Sequence, residues 1–238
     1  DLNTAKYEEE DSLDKVLDDF LQKAELLYGT FPSETTSELR FKGIIQRACE
    51  KTGERVVILV DEYDKPMLQA IGNDTLQEEY RSTLKAFYSV LKTQDQYIKF
   101  AFLTGVTKFG KVSVFSDLNN LEDLSMNRRY VSLCGITEAE LHTYFDEQVG
   151  QLGDLYGLSK AECYLKLKEM YDGYHFEVNT IGIYNPFSIL NALKNQKFDS
   201  YWFATGTPSF LVQLLKQSNY NLNNLQQEQQ SADMLNSI

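Results

Sequence analysis

Two adjacent carboxylates close an apolar run, and their type and spacing suit a particular chemistry. In VVILVDEYDKP, residues 56–66, five aliphatic residues lead directly into Asp61 and Glu62. In an open α/β sheet, ligands sit beyond the carboxyl ends of the strands. Consecutive side chains at such an end diverge, so one carboxylate can face a metal and the other a phosphate. Asp61 is then expected to hold the shell of a Mg2+ ion through water. Glu62 is expected to orient and polarise the water that attacks a nucleoside triphosphate. A plainer alternative is that both residues cap the helix opened by Pro66 or face solvent. A carboxylate-only chemistry is a further alternative, with Asp61 and either Asp64 or Glu62 as the acid and base of a glycosidase. No tryptophan for stacking a sugar lies nearby, since the single one is Trp202.

A hydroxyl joins the candidate group at FLTGVTKF, residues 102–109, where Thr104 ends a second apolar run. From a neighbouring strand it could reach the γ-phosphate or the attacking water; otherwise it is a strand-end threonine bonded to its own backbone. Gly105 to Lys111 has the G-x-x-x-x-G-K spacing of a phosphate loop. Val112 stands where Ser or Thr should bind magnesium, however, and VSVFSDLNNLEDL is a poor helix to follow it. The acidic strand also precedes this run, which is the wrong order. With only His142 and His175, a histidine-rich metal site is not expected, and neither HExxH nor G-x-S-x-G occurs. His175 sits in the aromatic cluster YDGYHF and reads as a packed surface residue.

These residues need elements to position them. Val56–Val60 reads as a strand covered on both faces, and Ile98–Leu103 as a second one. Between them, residues 74–92 carry Leu76, Tyr80, Leu84, Phe87, Tyr88 and Leu91 at helical spacing. Strand, helix, strand in this order predicts a right-handed parallel crossover in a layered α/β sheet. Upstream, Leu13, Val16, Leu17, Phe20, Leu21, Ala24 and Leu27 predict a helix stopped by Gly29. A second helix is expected over 33–51, with Leu39, Ile44, Ile45 and Ala48 inward and Gly53 just beyond its end. After Thr104 the chain is irregular to about residue 125. Thr137 and Glu140 make a capping box, Ser159 opens another helix, and Pro186 and Pro208 suit first-turn positions. The expected division is a core over 1–135, a helical region over 136–217 and a loose Asn/Gln-rich tail over 218–238.

Bulk composition narrows the classes. The 238 residues are 42% hydrophobic and carry a formal net charge of −12. That allows a real core and argues against general binding to DNA or an anionic membrane, which needs a basic face. No apolar run approaches the roughly 18 residues of a membrane span, and no signal-like segment opens the chain. Cys49, Cys134 and Cys163 are widely spaced and odd in number, as expected of reduced thiols in a cytoplasmic protein. Residue 1 is Asp, not Met, so the chain reads as a piece of a longer protein.

LVDEYDKPM (59–67), FYSVLK (87–92), FLTGVTKFGKVSVFSDLNNLEDLS (102–125), LCGITEAEL (133–141), YDGYHF (171–176), YNPFSILNAL (184–193) and YWFATGTPSFLVQLLK (201–216) run in collinear order along nearly the whole chain. They resemble the predicted AAA-ATPase-like proteins. The resemblance implies an α/β, partial P-loop NTPase-like fold, with a layered parallel sheet and a C-terminal helical lid-like subdomain. It implies ATP and Mg2+ as ligands, Asp61 and Glu62 as the Walker B pair, and Thr104 at a sensor-1-like position. Lys108 and Arg129 fall in matching stretches as weaker phosphate-contact candidates, and Arg128 or Arg129 could serve a neighbouring subunit in an oligomer. Family members usually carry an N-terminal phosphate loop and often a nuclease-like domain, which could be a fused or separate partner. This sequence has neither, so it is expected to be a fragment of an ATPase that is inactive alone. The alternative is a degenerate ATPase fold that works as a protein-interaction scaffold.

Overall fold

The candidate residues hang from two strands, each short and apolar. The computed structural model describes residues 1–106, 114–115, 118–125, 127–174 and 182–201. In it, α1 is Ser12–Tyr28, α2 is Ser37–Thr52, β1 is Val56–Val60, α3 is Lys65–Gln69, α4 is Asp74–Thr93 and β2 is Ile98–Leu103. The two strands pair in parallel, with Val57 opposite Phe100, Leu59 opposite Phe102 and Val60 opposite Leu103. A parallel pair cannot be joined by a tight turn, and α4 makes the crossover. Asn73 starts that helix by accepting the Leu76 N–H on its side chain. By contacts the chain divides into two compact units between Leu121 and Glu122.

In the first unit the helices bury narrow stripes. Leu13, Leu17 and Leu21 of α1, four residues apart, are buried, as are Phe41, Ile44 and Ile45 of α2. Phe41 stacks on Phe87 of α4, with ring centroids 4.5 Å apart and planes within 4°. Leu39, expected inward, is instead exposed, as are Phe20 and Leu27 of the helically spaced set in α1. Each lies beside the stripe its helix buries, and helical spacing alone does not say how wide that stripe is. Helix α2 starts later than expected because Thr36 is extended (φ −118°, ψ 159°). It ends where Gly53 takes the left-handed conformation (φ 73°) and donates its N–H to the Cys49 carbonyl.

The sheet departs from expectation too. Ile58 and Ile98 join the helical core, but Val57, Leu59 and Phe100 are exposed. Strand side chains alternate, so helices packed against Ile58 leave its neighbours on the opposite face. Cover on both faces is therefore not found among the described residues.

The second unit, Glu122–Ser218, is largely helical where it is described. It contains α5 (Glu138–Tyr144), α6 (Asp146–Leu155), α7 (Lys160–Tyr171) and α8 (Pro186–Asn195). An antiparallel pair, β3 (Asp172–Tyr174) and β4 (Ile183–Tyr184), lies between the last two helices. Thr137 and Glu140 form the expected capping box, and Ser159 forms another with Glu162. Pro186 occupies the first turn of α8. Leu141, Val149, Leu152, Cys163, Leu167 and Ile189 make its core. Lys108, His175, Trp202, Pro208 and the tail lie outside the described residues. The chain is thus a mixed α/β protein with a two-stranded parallel sheet and a helical C-terminal part. Among the described residues no helix is long and apolar enough to cross a membrane.

Leu84 is fully buried in α4, whereas Leu59 is 69% exposed on the open sheet face. Leu84→Ala is expected to cost about 2–5 kcal/mol. Leu59→Ala is expected to cost under about 1 kcal/mol. Urea unfolding of the two variants measures the contrast.

Candidate functional site at the strand ends

Parallel pairing of Val60 with Leu103 makes the next residues, Asp61 and Thr104, emerge side by side. The Thr104 N–H donates to the Val60 carbonyl (2.8 Å), and the Tyr63 N–H donates back to the Thr104 carbonyl (2.9 Å). Within this frame the Thr104 hydroxyl donates to Asp61 Oδ1 at 2.6 Å. Asp61 is exposed, while Glu62 and Thr104 are half-buried. All three predicted site residues are therefore brought together.

Glu62 has φ 53°, in the left-handed region that residues with a Cβ seldom occupy. Holding it there costs roughly 1–2 kcal/mol, which surrounding contacts must offset. The Lys65 N–H donates to the Glu62 carbonyl (3.0 Å), which closes the turn. Lys65 Nζ lies 3.5 Å from Glu62 Oε2, an oxygen shielded from solvent that accepts no hydrogen bond among the described residues. Asp64 points away from this group: its side chain is fully buried, with Oδ1 accepting the Val106 N–H at 3.1 Å. A glycosidase pair of Asp61 with Asp64 therefore lacks a solvent-facing partner.

Sequence reasoning missed the segment before α1. The Leu2 N–H donates to the Asp61 carbonyl (3.0 Å), and Asn3 Nδ2 donates to Glu62 Oε1 (3.3 Å). Tyr7 pins this segment. Its hydroxyl donates to the Leu2 carbonyl (2.6 Å), and its N–H donates to Gln69 Oε1 (2.8 Å). Burial, with Tyr80 beside it, pushes the Tyr7 phenol up to about 12. No periodicity marks residues 1–7; the only sequence signal was an isolated tyrosine ahead of an acidic helix.

The profile of the predicted AAA-ATPase family matches residues 1–115. An uncharacterised protein in the vnfD 5′ region of Azotobacter chroococcum mcd 1 is 42% identical over 183 residues, covering 77% of this chain and 33% of the relative. Residues 1–115 belong to the predicted AAA-ATPase family. This AAA-ATPase segment contains both strand ends, and with them Asp61, Glu62, Thr104 and Asn3. The chain spans about a third of the relative's own length. No solved structure matches the chain significantly.

Among the described residues, no three His, Cys, Asp or Glu side chains converge as a metal cage. An exposed Asp61, with one oxygen tied to Thr104, instead suits a cation such as Mg2+ that keeps most of its waters. A surface cleft of about 470 Å3, lined by Asp14, Asp18, Ser37, Arg40, Ser82 and Thr83 among others, shares no residue with the strand-end group. Its guanidinium, Arg40, is committed to Glu25 and Asp18. Arg128 and Arg129 belong to the other unit, in a single 3-10 turn where Asn127 accepts the Arg129 N–H.

Tyr7→Phe removes the hydroxyl that holds Leu2, and is expected to cost about 1–2 kcal/mol. The folded phenol titrates above its ordinary value of 10.0. Its contribution is therefore complete below pH 10 and is lost as pH rises towards 12. Thermal unfolding of both proteins across that range should show a smaller gap at the alkaline end.

Proposed function

We propose that the strand-end group is the magnesium and water half of an ATP-hydrolysing site, in a partial P-loop NTPase-like fold with a helical lid-like subdomain. The observation that carries this reading is the 2.6 Å hydrogen bond from Thr104 to Asp61 across a parallel ladder, with Glu62 next along the chain. Asp61, oriented by that hydroxyl, would accept hydrogen bonds from the waters around the cation. Mg2+ bound with the nucleotide supplies charge neutralisation at the β- and γ-phosphates. Glu62, aimed by its left-handed backbone and held by Asn3, would orient the attacking water and draw on its proton. Thr104 would hold Asp61 in the ground state and offer its hydroxyl towards the reacting phosphate.

The phosphate-binding half needs backbone amides and a lysine. Across all 238 residues the sequence holds no G-x-x-x-x-G-K-[ST] run. The second reading is a degenerate ATPase fold acting as a protein-interaction scaffold; a G-x-x-x-x-G-K-[ST] run upstream of Asp1 supports the ATPase, and its absence there favours the scaffold. The two separate in a longer protein that carries this chain.

On the ATPase reading, Mg2+·ATP raises its melting temperature, by an amount equivalent to about 2.7 kcal/mol at a hundredfold excess over Kd. Glu62→Gln is expected to lower kcat roughly 10²–10⁴-fold while that shift persists. No nucleotide-dependent shift, with turnover at background, would leave the scaffold standing. The 238 residues alone are expected to turn over ATP at background. Robust magnesium-dependent turnover by them, abolished by Glu62→Gln, would overturn the dependence on a phosphate loop.

A further inference from the structure

We propose that Asp64 is a positioning residue, whose buried carboxylate locks the turn after β2 to the turn after β1 and so keeps the Thr104 hydroxyl on Asp61. Asp64 is one of few buried polar side chains among the described residues, and is 0% exposed. A carboxylate withdrawn from water persists only where partners replace its hydration. Its position in the chain suggests another job, since it stands at the N-cap position of α3. Aspartate at such a position ordinarily accepts an N–H of the first turn. Here the Asp64 side chain makes no capping hydrogen bond. It turns instead to the other strand end and accepts the Val106 N–H, 42 residues away in sequence.

The approach is close enough to dictate the residue between the two turns. A Cβ on Gly105 would lie 2.6 Å from Tyr63 Cε1, 2.8 Å from Asp64 Oδ1 and 2.9 Å from Asp64 Cγ. Only glycine allows that backbone to lie against Asp64 and Tyr63 at once. Immediately before it, the Thr104 carbonyl accepts the Tyr63 N–H, and the Thr104 hydroxyl reaches Asp61. Thr104 is thus fixed on one side by β2 and on the other by the Gly105–Val106 backbone that Asp64 grips. Freed from Asp64, that backbone can rotate, and the threonine hydroxyl loses its aim.

The inference rests on the nucleotide reading for its functional consequence but not for its structural one, and two measurements keep these apart. The first is hydrogen exchange at the Val106 amide in the longer protein that carries this chain. Asp64→Ala is expected to speed it about tenfold or more relative to amides of α1. Asp64→Asn, which keeps a carbonyl oxygen for Val106, should restore most of the protection. Gly105→Ala should reproduce the loss with the carboxylate intact, and it carries the test if Asp64→Ala does not fold. Unchanged Val106 exchange in both Asp64→Ala and Gly105→Ala would overturn the proposal.

The second is Mg2+·ATP affinity of Asp64→Ala, Thr104→Val and the double variant. Shared action predicts that the double variant binds no more weakly than the worse single one. Independent, additive losses would reduce Asp64 to a residue of general stability and overturn its positioning role. Absence of Mg2+·ATP binding by the unmodified protein would remove the nucleotide reading, while Val106 exchange would still decide whether Asp64 holds the turn.

Discussion

The parallel ladder between β1 and β2 is the constraint on which the strand-end group depends. In parallel pairing the carboxyl ends of both strands lie at the same edge, so residues 43 apart, Asp61 and Thr104, meet with no long side chain to bridge them. An antiparallel pair would have put Thr104 at the opposite edge. That pairing requires a crossover, and α4 supplies it with a strongly buried face, including Tyr80, Leu84, Tyr88 and Leu91. The apolar contacts of α4 with α1 and α2 hold the strands from one side only, which is why Ile58 is buried and Leu59 is not.

Around this ladder the chain stacks three further restraints. Tyr7 fastens residues 2 and 3 to the end of β1. Asn3 and Lys65 then meet the carboxylate of Glu62, whose backbone is in a conformation that local preference disfavours. Asp64 forgoes capping α3 to take the Val106 N–H. An exposed acidic pair on a flexible turn would need none of these. Their convergence on residues 61–64 indicates that side-chain direction there is over-determined, which is what preorganised chemistry requires.

The second unit is held by different means. Its helices start at capping boxes made entirely by local side chains, Thr137 with Glu140 and Ser159 with Glu162. Its core closes through Leu141, Val149, Leu152 and Cys163, and among the described residues no charged side chain is drawn inside. Burial raises the Cys163 thiol above its usual range, as suits a packing residue and not a nucleophile. Such a unit reads as ordinary helix packing, set by local caps and apolar contacts.

Features set by neighbours in the chain were legible without a structure. The bounds of β1 and β2 follow from short runs rich in aliphatic and aromatic residues, and the helix starts at Thr137, Ser159 and Pro186 from caps that act within one turn. Asp61, Glu62 and Thr104 stood out for the same reason: their types at the ends of apolar runs suit them to a ligand beyond a sheet. Tertiary structure decided what depends on partners distant in sequence. Phe20, Leu27 and Leu39 fit the helical period yet stay exposed, because stripe width is set by the neighbouring helices. Asn3 reaches Glu62 from 59 residues away, and Asp64 turns inward to an amide that no local pattern announces. Periodicity and capping record short-range preference, whereas the direction of a side chain at a strand end is settled by backbone groups that only folding brings within hydrogen-bonding distance.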